Sequence, residues 1–403
     1  MRQPRWQAIS LLMCVFFLIY LALDLHPAKA DETDPVVNIP TPTLPRPNGF
    51  DTILAAGNAM VDRDRIVACY ADQDGKAYSL RAMMALVAKN TKALALLRQG
   101  LRQQYLQPPV RSFNVQFPYF FTDRDLARLM MVEARIYGAH HQWTAAANCY
   151  MEVLDFGAHV KQGAPLIGYL VGEVIQSMML KDCWKIIEHF DLRRTTLMRA
   201  RVQAIIDKDV TLVTALREEK WVEQAMIMSY FSDKKANWRL TLALACGSEV
   251  LLSSKHELMD HFSAYFDAWI QIAPQRYPVQ RTMPMPNDPI SKVLAAQLFP
   301  KAALRAANLQ AQQQLLLTAL ALQAYHLRHG VYPETLALLV PCLLHALPPD
   351  PFSQIAPLCY HRHAGTYLLY SIGPDGVDDG GKTVTNPRHC DPDSKGDIVA
   401  GVF

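Results

Sequence analysis

The sequence predicts a mainly α-helical protein with an N-terminal membrane segment, an α-helical domain and a small C-terminal α+β domain. The last of these should contain a long helix, an antiparallel sheet and an acidic loop. Three observations lead to this prediction. An apolar run follows basic residues at the N-terminus, helical periodicity extends from Phe50 to about Ile272, and short apolar runs with many glycines and aspartates follow Gly330. The predicted boundaries are 1–30 for the membrane segment, 31–49 for a proline-rich linker, 50–284 for the helical domain and 285–403 for the C-terminal domain.

Length and composition indicate a folded chain of two or three domains. The chain has 403 residues, of which 51% are hydrophobic and 19% are charged, and its formal net charge is +3. Nucleic-acid binding proteins carry a clustered basic face, which this near balance of charges argues against. No nucleic-acid partner is therefore expected.

The first thirty residues predict export from the cytoplasm. Arg2 and Arg5 precede the apolar run Ala8–Leu23, and Ala28-Lys29-Ala30 follows it. The run lies between the length of a signal-peptide core and that of a membrane-spanning helix. The preferred interpretation is an inner-membrane anchor through residues 8–23, with the N-terminus in the cytoplasm and the bulk outside. The alternative is a signal peptide cleaved after Ala30.

Proline and cysteine positions add two expectations. The stretch Asp34–Pro47 contains five prolines, which predicts an extended, semi-rigid spacer between the membrane and the folded part. The eight cysteines form no Cys-x-x-Cys pair, so a structural zinc site is not indicated. Four of them fall singly in helical patterns and predict core positions, namely Cys69, Cys149, Cys183 and Cys246. Three others allow one disulfide after export, namely Cys342, Cys359 and Cys390.

The helical domain contains one recognisable helix pair. Apolar residues at helical spacing lie between Leu126 and Tyr137, and His140-His141-Gln142 interrupts the pattern before Trp143. The segment Ala134–Val153 resembles one tetratricopeptide-type hairpin, with His141 in place of the glycine before the second helix. A single repeat does not form a solenoid, so only a helix pair is predicted.

A second proline cluster, from Pro274 to Pro289, predicts the boundary near residue 285. The helix that follows should extend from about Ile290 to His329 and end at the capping glycine Gly330. Its predicted buried stripe consists of Leu316, Leu320, Ala324 and Leu327. Beyond it, Cys359–His363 and Thr366–Ile372 predict two strands joined by a turn at Gly365.

Four fragments in the last hundred residues carry a resemblance. They are Gly330-Val331-Tyr332-Pro333, then Leu347-Pro348-Pro349-Asp350-Pro351, then Ser371-Ile372-Gly373-Pro374-Asp375-Gly376, and finally Asp397-Ile398. In this order they resemble the C-terminal domain of the major pseudopilin of type II secretion. The resemblance implies a long helix that ends at a Gly-x-Tyr-Pro turn, and a small sheet with a closing loop.

The acidic loop is the candidate metal site. Calcium takes six to eight oxygen ligands, and glycines such as Gly373 and Gly376 allow a loop to bend around it. The resemblance implies ligands at Asp375, the carbonyl of Val377, and Asp397. The penultimate aspartate of the family is Gly396 here, so another acidic residue would have to replace it. The candidates for that replacement are Asp378, Asp379 and Asp393. The alternative is a solvated acidic loop without an ion.

The N-terminus departs from a pilin because Met1–Leu23 contains neither a cleavage-site glycine nor a glutamate. Packing into a pilus shaft is therefore not expected. The predicted function is a non-enzymatic envelope protein that interacts with other envelope proteins or has a structural role. One alternative is an exported hydrolase with its site in a groove of the helical domain, and another is a subunit that adds to the sheet edge of a partner.

Histidine motifs are weak candidates for other sites. His256 and His261 are five residues apart and point to different faces of a helix. His361 and His363 share one face of a predicted strand, where surface histidines are more common than metal ligands. The sequence contains no phosphate-binding loop, no dinucleotide-binding fingerprint and no Gly-x-Ser-x-Gly motif.

Overall fold

The computed structural model describes residues 39–72, 76–111, 117–232, 255–283, 299–385 and 390–402. The predicted membrane segment and the first part of the linker lie outside these ranges. Of the helices in the described ranges, none combines the length and the apolar character that a membrane crossing requires.

The described part of the chain is mainly helical with a small antiparallel sheet, as predicted. The α6 helix packs between α5 and α7, α1 packs on α4, and α9 pairs with α10. The bounds up to the second proline cluster are α1 Gly49–Asn58, α2 Arg63–Ala71, α3 Leu80–Lys89, α4 Thr91–Leu101, α5 Tyr119–Ala139, α6 Trp143–Lys161, α7 Leu166–Ile187, α8 Leu192–Lys208, α9 Leu212–Ser232, α10 Lys255–Ile272 and the short α11 Tyr277–Gln280.

Glycines allow α6 and α7 to cross closely. A side chain at Gly157 would place its Cβ 2.5 Å from the Gly172 carbonyl oxygen, and a side chain at Gly172 would lie equally close to the Gly157 oxygen. Side-chain caps fix helix starts elsewhere. Asp191, for example, accepts a 2.8 Å hydrogen bond from the Arg194 N–H at the start of α8.

The predicted helix pair is confirmed. The α5 helix ends at Ala139 and α6 begins at Trp143, so the break falls at His140–Gln142. His141 has φ +56°, the left-handed conformation that favours glycine and that asparagine, aspartate and histidine also adopt. This explains how a histidine can stand where the repeat has a glycine.

The long C-terminal helix, α12, extends over Phe299–His329, and residues 290–298 lie outside the described ranges. Leu316, Leu320 and Ala324 are buried as predicted. The prediction for Leu327 is wrong: it is 43% exposed, because the last turn of α12 projects beyond the core. Gly330 follows with φ +74°, and its N–H donates to the His326 carbonyl oxygen at 2.8 Å, as expected for a helix-ending glycine.

A 3₁₀ helix at Leu336–Leu339 leads to a three-stranded sheet of order β1-β2-β3. The bounds are β1 Cys359–His363, β2 Thr366–Ser371 and β3 Ile398–Val399. The hairpin of β1 and β2 is confirmed, with Gly365 at φ +80° in the turn and β2 one residue shorter than predicted. The third strand was not predicted, because β3 has only two residues and is too short to show the alternation of apolar and polar side chains that indicates a strand.

Contacts cross the boundary predicted near residue 285. The α12 helix packs against α7 and α8 and also against β2 and β3, so one hydrophobic core extends through both regions. Two hydrogen bonds of 2.6 Å reinforce the junction: Arg199 donates to the Leu343 carbonyl, and Gln323 donates to the Ile187 carbonyl. Independent folding of residues 285–403 stays a prediction.

Three of the four cysteines predicted to lie in the core are confirmed there. Cys69, Cys149 and Cys183 are buried in the helical core, and Cys14 and Cys246 lie outside the described residues. The other three are thiols, so the described ranges contain no disulfide among Cys342, Cys359 and Cys390.

Candidate functional site

Asp397 is the most buried residue of the predicted calcium loop. It immediately precedes β3, and its side chain is inaccessible to solvent. Its two carboxylate oxygens accept hydrogen bonds from the backbone N–H of Gly381 at 2.6 Å and of Asp379 at 3.4 Å. Burial raises its pKa, and the nearby charges of Asp378 and Asp379 raise it further. The structure therefore brings Asp378, Asp379 and Asp397 close together.

The other predicted ligands have separate partners. Asp375 accepts a hydrogen bond from the Val377 N–H at 3.2 Å, within its own turn, and Val377 is 55% exposed. Asp378 accepts from the Tyr370 hydroxyl at 3.0 Å and from the Gly380 N–H at 2.9 Å. Asp393 forms an exposed ion pair with Arg281 at 2.5 Å.

The described arrangement is that of a loop held by carboxylate–amide hydrogen bonds. Among the residues that the structure describes, no three His, Cys, Asp or Glu side chains are grouped so that they could ligate one ion. The oxygens of Asp397 and Asp378 point at N–H and O–H donors, which is not the orientation that a cation requires. Calcium at this loop stays a prediction.

Asp350 joins two of the fragments that carry the pseudopilin resemblance. Its buried carboxylate accepts hydrogen bonds from the Ser371 hydroxyl at 2.7 Å and from the N–H groups of Ile372 and Phe352, both at 2.9 Å. Burial raises its pKa although these donors lower it. The turn that contains Asp350 is thus fixed to the end of β2.

A cluster of aromatic rings lies at the opposite end of the chain, where α1 meets the start of α5. Phe50 is 5.4 Å from Tyr119 with the ring planes at 87°, and 6.0 Å from Tyr105 at 66°. Phe117 stacks on Phe120 at 5.3 Å. Phe50, Phe117 and Tyr119 are half-buried, whereas Tyr105 is buried. We call these five residues the aromatic cluster.

Asp123 is a buried carboxylate beside this cluster. It lies one turn beyond Tyr119 on α5 and is 5% exposed. In the described part of the chain no hydrogen bond or ion pair reaches it, and burial raises its pKa to about 8. Its charge adds to the effect of burial in raising the pKa of the Tyr105 and Tyr119 hydroxyls, so it lies near both hydroxyls.

A surface groove reaches the aromatic cluster at Tyr105. The groove has a volume of about 530 Å³ and is lined by Thr43, Leu44, Pro45, Gln104, Tyr105, Leu106 and Gln162. The end of the proline-rich linker forms one wall. It is held in place because Asn48 exchanges hydrogen bonds with the backbone of Leu106, donating at 2.8 Å and accepting at 3.1 Å.

Further buried carboxylates occupy the helix contacts. Glu219 accepts a 2.7 Å hydrogen bond from the Leu166 N–H at the start of α7, and burial raises the pKa of Glu219 and of Glu223 one turn later. Burial also raises the pKa of Glu173 to about 7, although the charge of Lys161 opposes this. Lys161 itself pairs with Asp209 at 2.8 Å.

The histidine candidates remain without a metal-site geometry. His256 and His261 are exposed on α10. His361 lies on β1 with Nε2 3.3 Å from the Tyr370 hydroxyl, and Tyr370 in turn donates to Asp378. This chain of contacts connects the sheet to the acidic loop.

Comparison with protein-family models, with curated proteins and with solved structures gives no match to this chain. The pseudopilin resemblance consequently stays a prediction that depends on the sequence fragments.

Proposed function

We propose that the protein is a non-enzymatic envelope component that is anchored or exported through its N-terminal segment and binds another protein through its helical region. The observation that carries the proposal is the aromatic cluster, in which three of the five rings are half-buried, together with the groove that meets this cluster at Tyr105. Aromatic residues are enriched at protein interfaces and dominate binding energy there. Phe121, next to Phe120 on α5, is a further aromatic ring and is 54% exposed.

The C-terminal region is proposed as a structural module related in fold to the pseudopilin C-terminal domain. In support, α12 is followed by an antiparallel sheet and an acidic loop, and Asp350 ties the Leu-Pro-x-Asp-Pro turn to Ser371. Calcium bound near Asp397 remains part of this proposal. The carboxylates of Asp378 and Asp379, close to Asp397, are the charges that a cation would neutralise.

The hydrolase alternative has one observation in its favour, the raised pKa values of the paired Glu219 and Glu223. Glu219, however, already caps the start of α7 through Leu166, a structural role. Of the described residues that line the groove, Tyr105 is the titratable one. Binding therefore explains the groove better than hydrolysis does.

Site-specific photo-crosslinking tests the proposed function. A photoreactive phenylalanine derivative placed at Phe121 in the full-length protein, in cells that make it naturally, should give a discrete adduct with another envelope protein. The matched control is the same derivative at Ile355, which is 89% exposed in the C-terminal region and distant in sequence. Replacement Tyr119→Ala should weaken the Phe121 adduct. Absence of an adduct at Phe121, or identical adducts from both positions, would contradict the proposal.

A reporter fused after residue 50 tests the proposed location. Activity of the reporter outside the cytoplasm is expected from the basic start and apolar run of the N-terminus. A reporter that is active only in the cytoplasm would contradict the location.

A further inference from the structure

We infer that one face of α5 binds an aspartate or glutamate side chain of the protein partner. The face consists of Phe121, Arg124 and Arg128, with Arg63 of α2 beside them, and we call these four residues the arginine face. The inference rests on the proposed binding function and adds the chemistry of the group that is recognised.

Helical spacing places three of these residues on one side of α5. Phe121, Arg124 and Arg128 follow one another at intervals of three and four residues, so their side chains are neighbours. Phe121 is 54% exposed and the two arginines are partly buried, whereas Leu126 and Met130 on the opposite side are fully buried. This side of α5 is therefore the one that a partner can reach.

The arginine face carries more positive than negative charge. The Asp125 carboxylate accepts hydrogen bonds from Arg63 at 2.8 Å and from Arg128 at 2.6 Å, so two guanidinium groups share one acidic group. Arg124 lies one turn before Arg128 and forms no hydrogen bond or ion pair with the residues that the structure describes. Three arginines thus stand against one aspartate, an excess of positive charge that an incoming carboxylate would reduce.

Nearby acidic residues leave this excess in place. Asp123 precedes Arg124 in the sequence, but consecutive residues of a helix do not face each other. Asp62, just before α2, pairs with Lys89 at 2.9 Å. Asp64 is exposed, so water and salt weaken its effect on the arginines.

The guanidinium groups are positioned to receive a carboxylate. The Nε atoms of Arg124 and Arg128 are inaccessible to solvent and have no acceptor among the described residues, so these side chains are packed rather than extended into water. Partial exclusion of water strengthens the hydrogen bonds that such groups form with an anion. Asp125 shows that a carboxylate fits these donors, because Arg63 donates to one of its oxygens through both Nε, at 3.2 Å, and Nη2, at 2.8 Å.

Phe121 indicates that the acidic group belongs to a protein segment. Its exposed ring lies one turn before Arg124, where it can cover an apolar side chain next to the acidic one. Aromatic residues and arginines are both enriched at the centre of protein interfaces. A partner segment with an apolar residue beside aspartate or glutamate therefore matches the arginine face.

A ligand-observed nuclear magnetic resonance titration of the full-length protein with blocked pentapeptides tests the inference. The probe has leucine and glutamate between glycines, and the control peptide has glutamine in place of glutamate. At about pH 7 and low salt the glutamate peptide should bind at least about tenfold more tightly, because its carboxylate forms charge-assisted hydrogen bonds with the arginines.

Two matched variants locate the binding. Arg124→Gln should remove the preference for glutamate. Since Arg124 makes no hydrogen bond within the described chain, this variant should keep the circular dichroism spectrum of the wild type. Arg193→Gln, the same change at an exposed arginine of α8, should leave the preference unchanged.

Three results would overturn the inference. The first is equal binding of the two peptides, or no binding up to about 10 mM, which is weaker than a specific contact provides. The second is a glutamate preference that persists in Arg124→Gln. The third is inorganic phosphate binding more tightly than the glutamate peptide, which would indicate a site for phosphate groups. The crosslink from Phe121 separates these failures from that of the proposed function, because a discrete adduct together with equal peptide binding would leave the function standing without the acidic contact.

Discussion

The carboxyl of Asp123 should make the protein less stable as the pH rises. Its pKa is raised by burial from 3.8 to about 8. Between these values the folded protein keeps a proton that the unfolded chain has lost, so the free energy of unfolding decreases with pH. The slope is about 1.4 kcal/mol per pH unit, and the sum over the whole window is about 6 kcal/mol. An aspartate paired with a cation has the opposite effect, because it makes the free energy of unfolding increase with pH. The sign of the pH dependence therefore distinguishes a buried, protonated Asp123 from a paired one.

Urea denaturation of wild type and of Asp123→Asn between about pH 5 and about pH 8 measures this effect. The variant cannot ionise at this position, so its stability relative to wild type should improve by about 3 to 4 kcal/mol across the range. Other carboxylates with raised pKa values, such as Glu173, contribute equally to both proteins and cancel in the difference. Equal pH dependence of the free energy of unfolding in the two proteins would refute the assignment of a protonated, unpaired Asp123.

Three further predictions concern other parts of the fold. If calcium binds the acidic loop, the protein should melt at a higher temperature with calcium than with chelator. The stabilisation is about 2.7 kcal/mol at a hundredfold excess over the dissociation constant, and Asp375→Ala or Asp397→Ala should abolish it. An unchanged melting temperature would indicate a solvated loop without an ion. Asp350→Ala should lower the free energy of unfolding by about 3 kcal/mol, since three hydrogen-bond donors lose their acceptor. Ser371→Ala removes one of these bonds and should lower it by about 1 kcal/mol. Equal losses for the two variants in urea denaturation would contradict this account. Gly157→Ala should destabilise the protein by more than about 1 kcal/mol, because its methyl group would collide with the α7 backbone, whereas the same change at the open Gly138 should be stabilising or neutral.

Much of the fold could be predicted because its signals are local. The break at His140–Gln142, the glycine-ended helix before Gly330 and the hairpin around Gly365 each depend on the conformational preference of a few neighbouring residues. The exposure of Leu327 could not be predicted in this way. Periodicity gives the face of a helix on which a residue lies, but not where the surrounding core ends.

The sequence also did not predict that α12 packs against helices on the other side of residue 285. Prolines mark an interruption of helix, and they say nothing about what packs across that interruption. The α12 helix is buried on the sheet side and on the side of α7 and α8, which its many alanines and leucines permit. An isolated fragment of residues 285–403 would expose the second of these faces, so its solubility and cooperativity depend on how well that face tolerates water.

In the candidate sites, too, residues close together in sequence could be predicted and those distant in sequence could not. Acidic residues close together in sequence pointed to the C-terminal loop, and the structure brings Asp378, Asp379 and Asp397 together. Asp123 was missed because its significance comes from Phe50 and Tyr105, which are distant in sequence. The aromatic residues between Phe117 and Phe121 are a local signal, but aromatic residues at helical spacing are also typical of core packing.

Three buried aspartates differ in the hydrogen bonds that their carboxylates accept, and this difference separates those that hold turns in place from Asp123. Asp350 and Asp397 each accept hydrogen bonds from backbone N–H groups, so their burial is compensated within the fold and they hold turns in place. Asp123 receives no such bond in the described chain, although arginines pair with Asp125 close by. A folded protein that leaves one carboxylate uncompensated while it pairs the neighbouring one keeps a cost that only a bound cation or a retained proton removes. At Asp123 the pKa of about 8 favours the retained proton at neutral pH, so burial there is compensated by protonation rather than by hydrogen bonds.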